Sequence, residues 1–324
     1  MKRRVAVTGV GVVSPVGHDV KTLWDNLSEG RGGIGRISRF DPAPFSSQIA
    51  GEVRDFDPSQ HIDRKTLRHN DRFVWYSWVA SQQAYQQAGL DEKNHEPDRC
   101  SVIIGSGIGG IETMEQQHSV LQKRGPARIS PFFVPMMISD MASGQLSITF
   151  NARGPNFATV SACASGAHAI GEAFRLVADG LSDVVIAGGA EAPLTPLALS
   201  GFCAMKALST RNDAPEQASR PFDKERDGFI MAEGAGTLIL EAWDRATRRG
   251  ADILAEMIGY GATADAYHVT APEPSGEGAA RAMAAALQMA DLPVDAVDYV
   301  NAHGTSTPLN DRCETEAIRS VFGA

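Results

Sequence analysis

Phe157-Ala158-Thr159-Val160-Ser161-Ala162-Cys163-Ala164-Ser165-Gly166 reads as a strand, a turn and the opening of a helix. Phe157 to Val160 is a short apolar run. Beyond the cysteine, Ala167, Ile170, Phe174 and Val177 recur at spacings of three and four, the period of an amphipathic helix that starts at Cys163. Strand, turn and helix in this order form the repeating unit of α/β folds. The same order serves a nucleophile elbow, although the literal G-x-S-x-G pattern is absent. The first N–H groups of a helix and its dipole favour a thiolate over a thiol. They can also hold the oxyanion that forms when a thiolate attacks a thioester or amide. Small residues on both sides of Cys163 leave room for a substrate. Most cysteines are instead small buried hydrophobes, so this stretch alone leaves both roles open.

The rest of the chain repeats the alternation. Val5 to Val10, Cys100 to Gly105, Val184 to Ala187, Gly236 to Trp243, Ile253 to Gly261 and Val297 to Ala302 read as strands. Phe73 to Ala88, Val134 to Phe150, Cys163 to Ala178, Gly276 to Ala290 and Thr307 to Phe322 read as helices. Val184 to Ala187 is apolar throughout, as in strands buried on both faces. The pattern predicts an α/β fold with parallel strands covered by helices. Gly9-Val10-Gly11 lacks the third glycine of a dinucleotide fingerprint and no GK[ST] follows, so turns and tight packing explain these glycines. Ala190 to Gly236 has little periodicity; it reads either as a functional loop or as a surface excursion held by its own ion pairs.

Composition narrows the class. A chain of 324 residues with 43% hydrophobic and 21% charged residues is globular. Its net charge of −9 argues against a general nucleic-acid binder. Cys100, Cys163, Cys203 and Cys313 include no CxxC pair, which argues against zinc and a disulfide framework and for reduced thiols in the cytoplasm. Met1-Lys2-Arg3-Arg4 and the apolar run after it read as a buried first strand rather than a signal peptide. No stretch has the length of a membrane span.

Among eight histidines, His303 stands out. Asn301-Ala302-His303-Gly304-Thr305-Ser306-Thr307 follows an apolar run, which predicts an imidazole at the C-terminal end of a strand, where α/β proteins place ligands. Thr305 and Thr307 offer hydroxyls on one side of an extended segment. His168, five residues after Cys163, is expected to point elsewhere on the same helix; His268 is a weaker candidate. Glu314 reads either as an orienting carboxylate or as a solvated one.

Together these motifs resemble the β-ketoacyl-[acyl-carrier-protein] synthase II type of condensing enzyme in the thiolase superfamily. The matching pieces are Val7 to Gly11 with Ser14-Pro15-Val16-Gly17, Gly105 to Gly110, Ile129 to Phe133, Ser161 to Gly166, Ala187 to Glu191, Arg220 to Gly236 and Asn301 to Pro308. The resemblance implies a thiolase-like αβαβα layered sandwich. Residues 1–250 would form the N-terminal half and 251–324 an incomplete C-terminal half. It implies that Cys163 takes an acyl chain from acyl carrier protein, that malonyl-carrier protein loses CO2, and that the carbanion attacks the acyl-enzyme. His303 would stabilise the enolate oxygen. Thr270, Thr305 and Thr307 would hold the phosphopantetheine arm, Ile108 would gate the acyl pocket with Phe202 near it, and Phe133 would close the pocket of a partner subunit in a homodimer. Lys65, Arg68, Arg128 and Lys206 would form a basic rim for the acidic carrier protein. The resemblance implies no metal and no resident cofactor beyond a monovalent cation near Asn301, because phosphopantetheine arrives on the carrier. Family chains continue past Ala324 with a lysine, a second histidine and a glycine-rich loop, and Glu314 matches a residue that contacts that lysine. The alternatives are a polyketide-type ketosynthase subunit, an inactive fragment or partner subunit, and a cysteine hydrolase.

Overall fold

The computed structural model describes residues 2–91 and 94–323. In chain order its elements are β1 (Val5–Val13), α1 (Val20–Ser28), β2 (Ile34–Arg36), β3 (Ile49–Gly51), α2 (Arg64–Arg68), α3 (Arg72–Gln87), β4 (Cys100–Gly105), α4 (Ile111–Arg124), α5 (Phe133–Met137), α6 (Met141–Thr149), β5 (Asn156–Phe157), α7 (Ser165–Ala178), β6 (Val184–Glu191), α8 (Pro196–Ala204), β7 (Gly234–Ala242), α9 (Trp243–Arg248), β8 (Ala255–Met257), α10 (Glu277–Ala290) and α11 (Pro308–Phe322). They fall into two units. The first is Met1–Gly33, Gly51–Ala198 and Ala232–Met257; the second is Ile34–Ala50, Leu199–Met231 and Ile258–Ala324.

The first unit is built on a six-stranded sheet in the order β5-β4-β6-β7-β1-β8. Only β5, β4 and β6 run parallel. β7 is antiparallel to β6, β1 to β7, and β8 to β1, so the sheet is mixed where alternation predicts a parallel one. Parallel pairing needs a covering crossover, which α7 supplies between β5 and β6. The chain leaving β6 takes the long irregular excursion instead and re-enters the sheet at the same end, where Gly234 at the start of β7 pairs with Glu191 at the end of β6, so the two strands are antiparallel.

Side chains alternate across each strand. Val102, Ile104, Val184, Ile186 and Ile239 join Phe73, Val74, Tyr76, Val79 and Ala80 of α3 in one buried cluster. β4 and β6 pack on α7 through their other face, where Gly105 meets Ser165 and Gly189 meets Gly166. Each fully buried large side chain such as Phe73 contributes about 1.5–3 kcal/mol. α3 lies almost directly on β1: a Cβ at Gly9 or Gly11 would stand 2.0 Å from the Ala84 carbonyl oxygen or 1.9 Å from that of Ala80. Close packing, and not phosphate binding, accounts for this pair of glycines.

Several boundaries differ from the periodicity. The helix over Val134 to Phe150 is two helices, α5 and α6, opened at Ile138, where the Met137 carbonyl accepts the Gly110 N–H at 2.9 Å. Of the run Phe157 to Val160, Phe157 alone is in a strand, β5. Ile253 to Gly261 pairs only over the three residues of β8. Val297 to Ala302 belongs to no strand; among the described residues no neighbour offers it a ladder. The helix at the cysteine begins at Ser165, two residues later than the apolar period indicates.

In the second unit α10 packs on α11. Gly276, at φ 72°, caps α10 and lies so close to α11 that a Cβ would meet the Cys313 carbonyl oxygen at 2.3 Å. The excursion after β6 contains α8 and a short 3-10 helix at Pro215–Gln217 and is otherwise irregular.

One buried charge cluster ties β7 to α9 in the first unit. The Glu241 carboxylate is fully buried and accepts from Arg245, from Arg249 at 2.8 and 2.7 Å, and from the Thr8 hydroxyl at 3.2 Å. Both arginines are largely buried too. Removing one partner leaves uncompensated charge in a low-dielectric interior. Glu241→Ala is expected to destabilise the protein by about 3 kcal/mol, measured as a lower urea midpoint; an unchanged midpoint would show that solvent reaches these guanidinium groups.

Candidate active site

Cys163 stands on a tight turn at the head of α7. Ala162 has φ 50°, a left-handed conformation that costs a residue with a Cβ about 1–2 kcal/mol. The Ser161 and Ala162 carbonyls accept the N–H groups of Ala164 and Ser165 at 3.1 and 3.0 Å. Those two donors are therefore used within the turn, whereas the sequence reading has the first helical N–H groups aimed at the thiol. Ser165 is buried. Its hydroxyl accepts the Ser161 N–H at 2.8 Å and donates to the Ala162 carbonyl at 2.7 Å, while its own carbonyl accepts from the Thr159 hydroxyl at 2.7 Å. His168 Nδ1 is 2.8 Å from Ser161 Oγ, within hydrogen-bond distance. His168 thus reaches back to Ser161 of the turn, a partner the sequence reading did not assign; because Cys163 precedes the helix, helical spacing does not relate the two residues.

The turn is exposed at its apex. Cys163 is solvent-exposed, whereas Cys100 and Cys313 are buried. Burial pushes the Cys100 thiol up to about 12 and raises that of Cys313, to which the charges of Glu273 and Asp265 also contribute. A nucleophile must be both accessible and ionisable, and neither buried thiol meets that condition.

The loop between β4 and α4 lies beside the turn. A Cβ on Gly107 would stand 3.5 Å from the Ala162 carbonyl oxygen. Glu191, at the end of β6, holds this loop: its carboxylate accepts from the Ser106 hydroxyl at 2.9 Å, the Gly107 N–H at 2.6 Å and the Ile108 N–H at 3.2 Å. Ile108 is 38% exposed. Sequence reasoning assigned Glu191 no role. The available signal was an acidic residue at the C-terminal end of an apolar strand, the usual ligand end of an α/β sheet.

His303 belongs to the second unit. It is exposed, on an irregular segment outside any sheet. Glu314 of α11 is half-buried and is not a merely solvated carboxylate. It accepts the His303 N–H at 2.6 Å and the Gly304 N–H at 2.8 Å. The Thr305 and Thr307 hydroxyls lie 2.9 Å apart, and Thr307 also accepts the Asn310 N–H to cap α11. The segment is not extended throughout, because Ser306 between them has φ 66°. Ser306 and Asp311 are buried, and the excursion after β6 fastens both. Ser306 Oγ accepts the Arg220 N–H, the Ser306 carbonyl accepts the Gly228 N–H, and Asp311 accepts the Phe222 N–H and pairs with Arg226 at 3.4 Å. The excursion is held by its own ion pair, Arg220 with Asp227 at 3.0 Å, and also holds the His303 segment. No sequence period marks these pins.

The remaining candidates are placed as follows. Lys65 and Arg68 are exposed on α2, with Lys65 and Phe132 lining one groove of about 540 Å³. Arg128 and Lys206 are exposed, and Phe133 is half-buried at the start of α5. Phe202 on α8 meets Phe229 edge-on, with centroids 5.3 Å apart. Thr270 is exposed and donates its N–H to His268 Nδ1 at 3.1 Å, which makes His268 a turn residue. Tyr299 donates to Asn301 at 3.4 Å. Among the described residues no helix is long and apolar enough to cross a membrane, and no group of three or more His, Cys, Asp and Glu side chains could hold a metal ion.

Comparison with known proteins gives the family. Residues 2–246 match the family model of the β-ketoacyl synthase N-terminal domain, and residues 254–324 match that of the C-terminal domain. The 3-oxoacyl-[acyl-carrier-protein] synthase 2 of Staphylococcus aureus strain N315 is 53% identical over 321 residues, covering 99% of this chain and 77% of the relative. A β-ketoacyl synthase from Burkholderia phymatum STM815 superposes with a TM-score of 0.91 at 35% identity, covering 100% of this chain and 79% of that one. A type II polyketide ketosynthase solved with its acyl-carrier protein, AntDE:AntF, superposes with a TM-score of 0.88 at 33% identity, covering 100% and 78%. The chain belongs to the β-ketoacyl synthase family of condensing enzymes.

Proposed function

We propose that the chain is a 3-oxoacyl-[acyl-carrier-protein] synthase that elongates fatty acids by decarboxylative Claisen condensation. The observation that carries the reading is the exposed Cys163 on its left-handed turn, in a chain 53% identical to synthases of that name. The Cys163 thiolate attacks the acyl thioester, and the carrier's phosphopantetheine thiol leaves. The acyl-enzyme divides one difficult substitution into two easier ones. Malonyl-carrier protein then loses CO2, and the enolate carbon attacks the acyl carbonyl. The Cys163 thiolate departs and leaves a 3-oxoacyl chain two carbons longer. His303 opposes the charge on the enolate oxygen, with its backbone held by Glu314.

The partner is acyl carrier protein. Lys65, Arg68 and Arg128 are exposed on the first unit and Lys206 on the second, and each gives a net-negative protein local positive charge for an acidic partner. Thr270, Thr305 and Thr307 carry the hydroxyls for the pantetheine arm, Ile108 and Phe202 border the acyl chain, and Asn301 would contribute an oxygen to a monovalent cation. The working form in this reading is a cytoplasmic homodimer in which Phe133 closes the partner's pocket. A polyketide-type ketosynthase is the second reading. It is supported by the likeness to AntDE:AntF, at 33% identity against 53% for the fatty-acid type.

Incubation with acyl-carrier protein should add one acyl mass to the intact protein, and Cys163→Ala should abolish it; acylation that persists in the variant would overturn the assignment of the nucleophile. His303→Ala should slow malonyl decarboxylation by about 10²-fold and leave acyl loading largely intact, measured by CO2 release and by single-turnover mass spectrometry. Equal loss of both steps would remove His303 from the decarboxylation step. Glu314→Ala should impair the same step less than His303→Ala, because it frees the backbone and leaves the imidazole.

A further inference from the structure

The turn that carries Cys163 should not hold its shape unaided. Ala162 is left-handed and not a glycine, and the turn's apex is exposed, so little packing restrains it. Two side chains from the first turn of α7 supply the restraint. Ser165 and His168 are three apart and therefore share a helix face. Both reach back to Ser161: the Ser165 hydroxyl takes its N–H, and His168 Nδ1 bonds its hydroxyl. The Ser165 hydroxyl also donates to the Ala162 carbonyl, so it bonds the peptide group before Ser161 and the one after Ala162 and spans the left-handed residue. Ser165 cannot drift, because its backbone lies against Gly105 of β4 so closely that a Cβ there would stand 2.3 Å away.

We infer that Ser165 and His168 are positioning residues for the nucleophile: they lock Ser161 and Ala162 so that the Cys163 sulfur meets the incoming thioester at a fixed angle. Neither contacts the reacting atoms in this account. The inference rests on Cys163 being the acylated residue. Nucleophilic attack is steep in geometry, and a displacement of about 1 Å can cost about 10²-fold in rate.

The test uses the 324-residue protein with Ser165→Ala, Ser165→Thr, His168→Ala and His168→Asn. Asparagine can place a polar atom near the position of Nδ1, and threonine keeps the hydroxyl. The rate of Cys163 acylation from acyl-carrier protein, the rate of Cys163 alkylation by iodoacetamide and the Tm are measured for each. Both alanine variants should acylate and alkylate Cys163 at least about 10-fold more slowly, with Tm near that of the parent. His168→Asn, on the half-exposed side of the turn, should recover most of the lost rate, and Ser165→Thr should do so where its Tm is retained. Parent-like rates in both alanine variants would overturn the inference. So would His168→Asn remaining as slow as His168→Ala at unchanged Tm. Persistent acylation of Cys163→Ala would instead defeat the underlying reading, and the alkylation rates of the four variants would still decide whether the pair positions the thiol.

Discussion

The first unit depends on one close approach, the start of α7 against strands β4 and β6. Gly105, Gly166 and Gly189 present no side chains at this contact, and backbone meets backbone: a Cβ on Gly105 would clash at 2.3 Å and one on Gly189 would be tight at 3.0 Å against Gly166. The approach sets the height of the helix above the sheet. It thereby sets where the turn at Cys163 emerges, beside the C-terminal ends of two parallel strands. The sheet's other face bears the large apolar cluster under α3. One face of β4 and β6 thus supplies core stability, and the other supplies precise placement.

Polar groups do comparable work where the backbone is irregular. Glu191 gathers three donors from the loop that carries Ile108. In the second unit, Glu314 takes two N–H groups from the His303 segment, and Asp311 and Ser306 are buried and bonded to the excursion around Arg220 and Arg226. A segment outside any sheet must satisfy its backbone some other way, and here carboxylates supply the acceptors. Charged acceptors make stronger hydrogen bonds than neutral ones, which suits segments whose side chains must stay in place while remaining exposed.

Much of this was legible beforehand, and the failures have identifiable causes. β4 matches its apolar run end to end and is buried throughout, and α3, α10 and α11 begin and end within a residue of their expected ranges; in α3 the period records a buried face. Val297 to Ala302 has the composition of a strand but no ladder, because composition cannot supply a neighbour. The helix of α7 starts late because the apolar period continues through the turn while Ala162 turns left-handed. The bond of His168 to Ser161 was not legible, because helical spacing says nothing about residues outside the helix. The roles of Glu191 and Glu314 depend on backbone N–H groups brought to them from 83 or 84 and from 10 or 11 positions away, and no local pattern encodes such a meeting.

The sequence by itself determined the family, the alternation of strands and helices, and the identity of the exposed nucleophile candidate, because motif residues and burial periods are properties of the chain read locally. Tertiary structure alone decided that the sheet is mixed, that Cys163 sits before the helix, and that Ser165, His168, Glu191 and Glu314 hold the segments carrying the chemistry. The physical reason is that a hydrogen bond between distant groups exists only once the chain has brought them within about 3 Å.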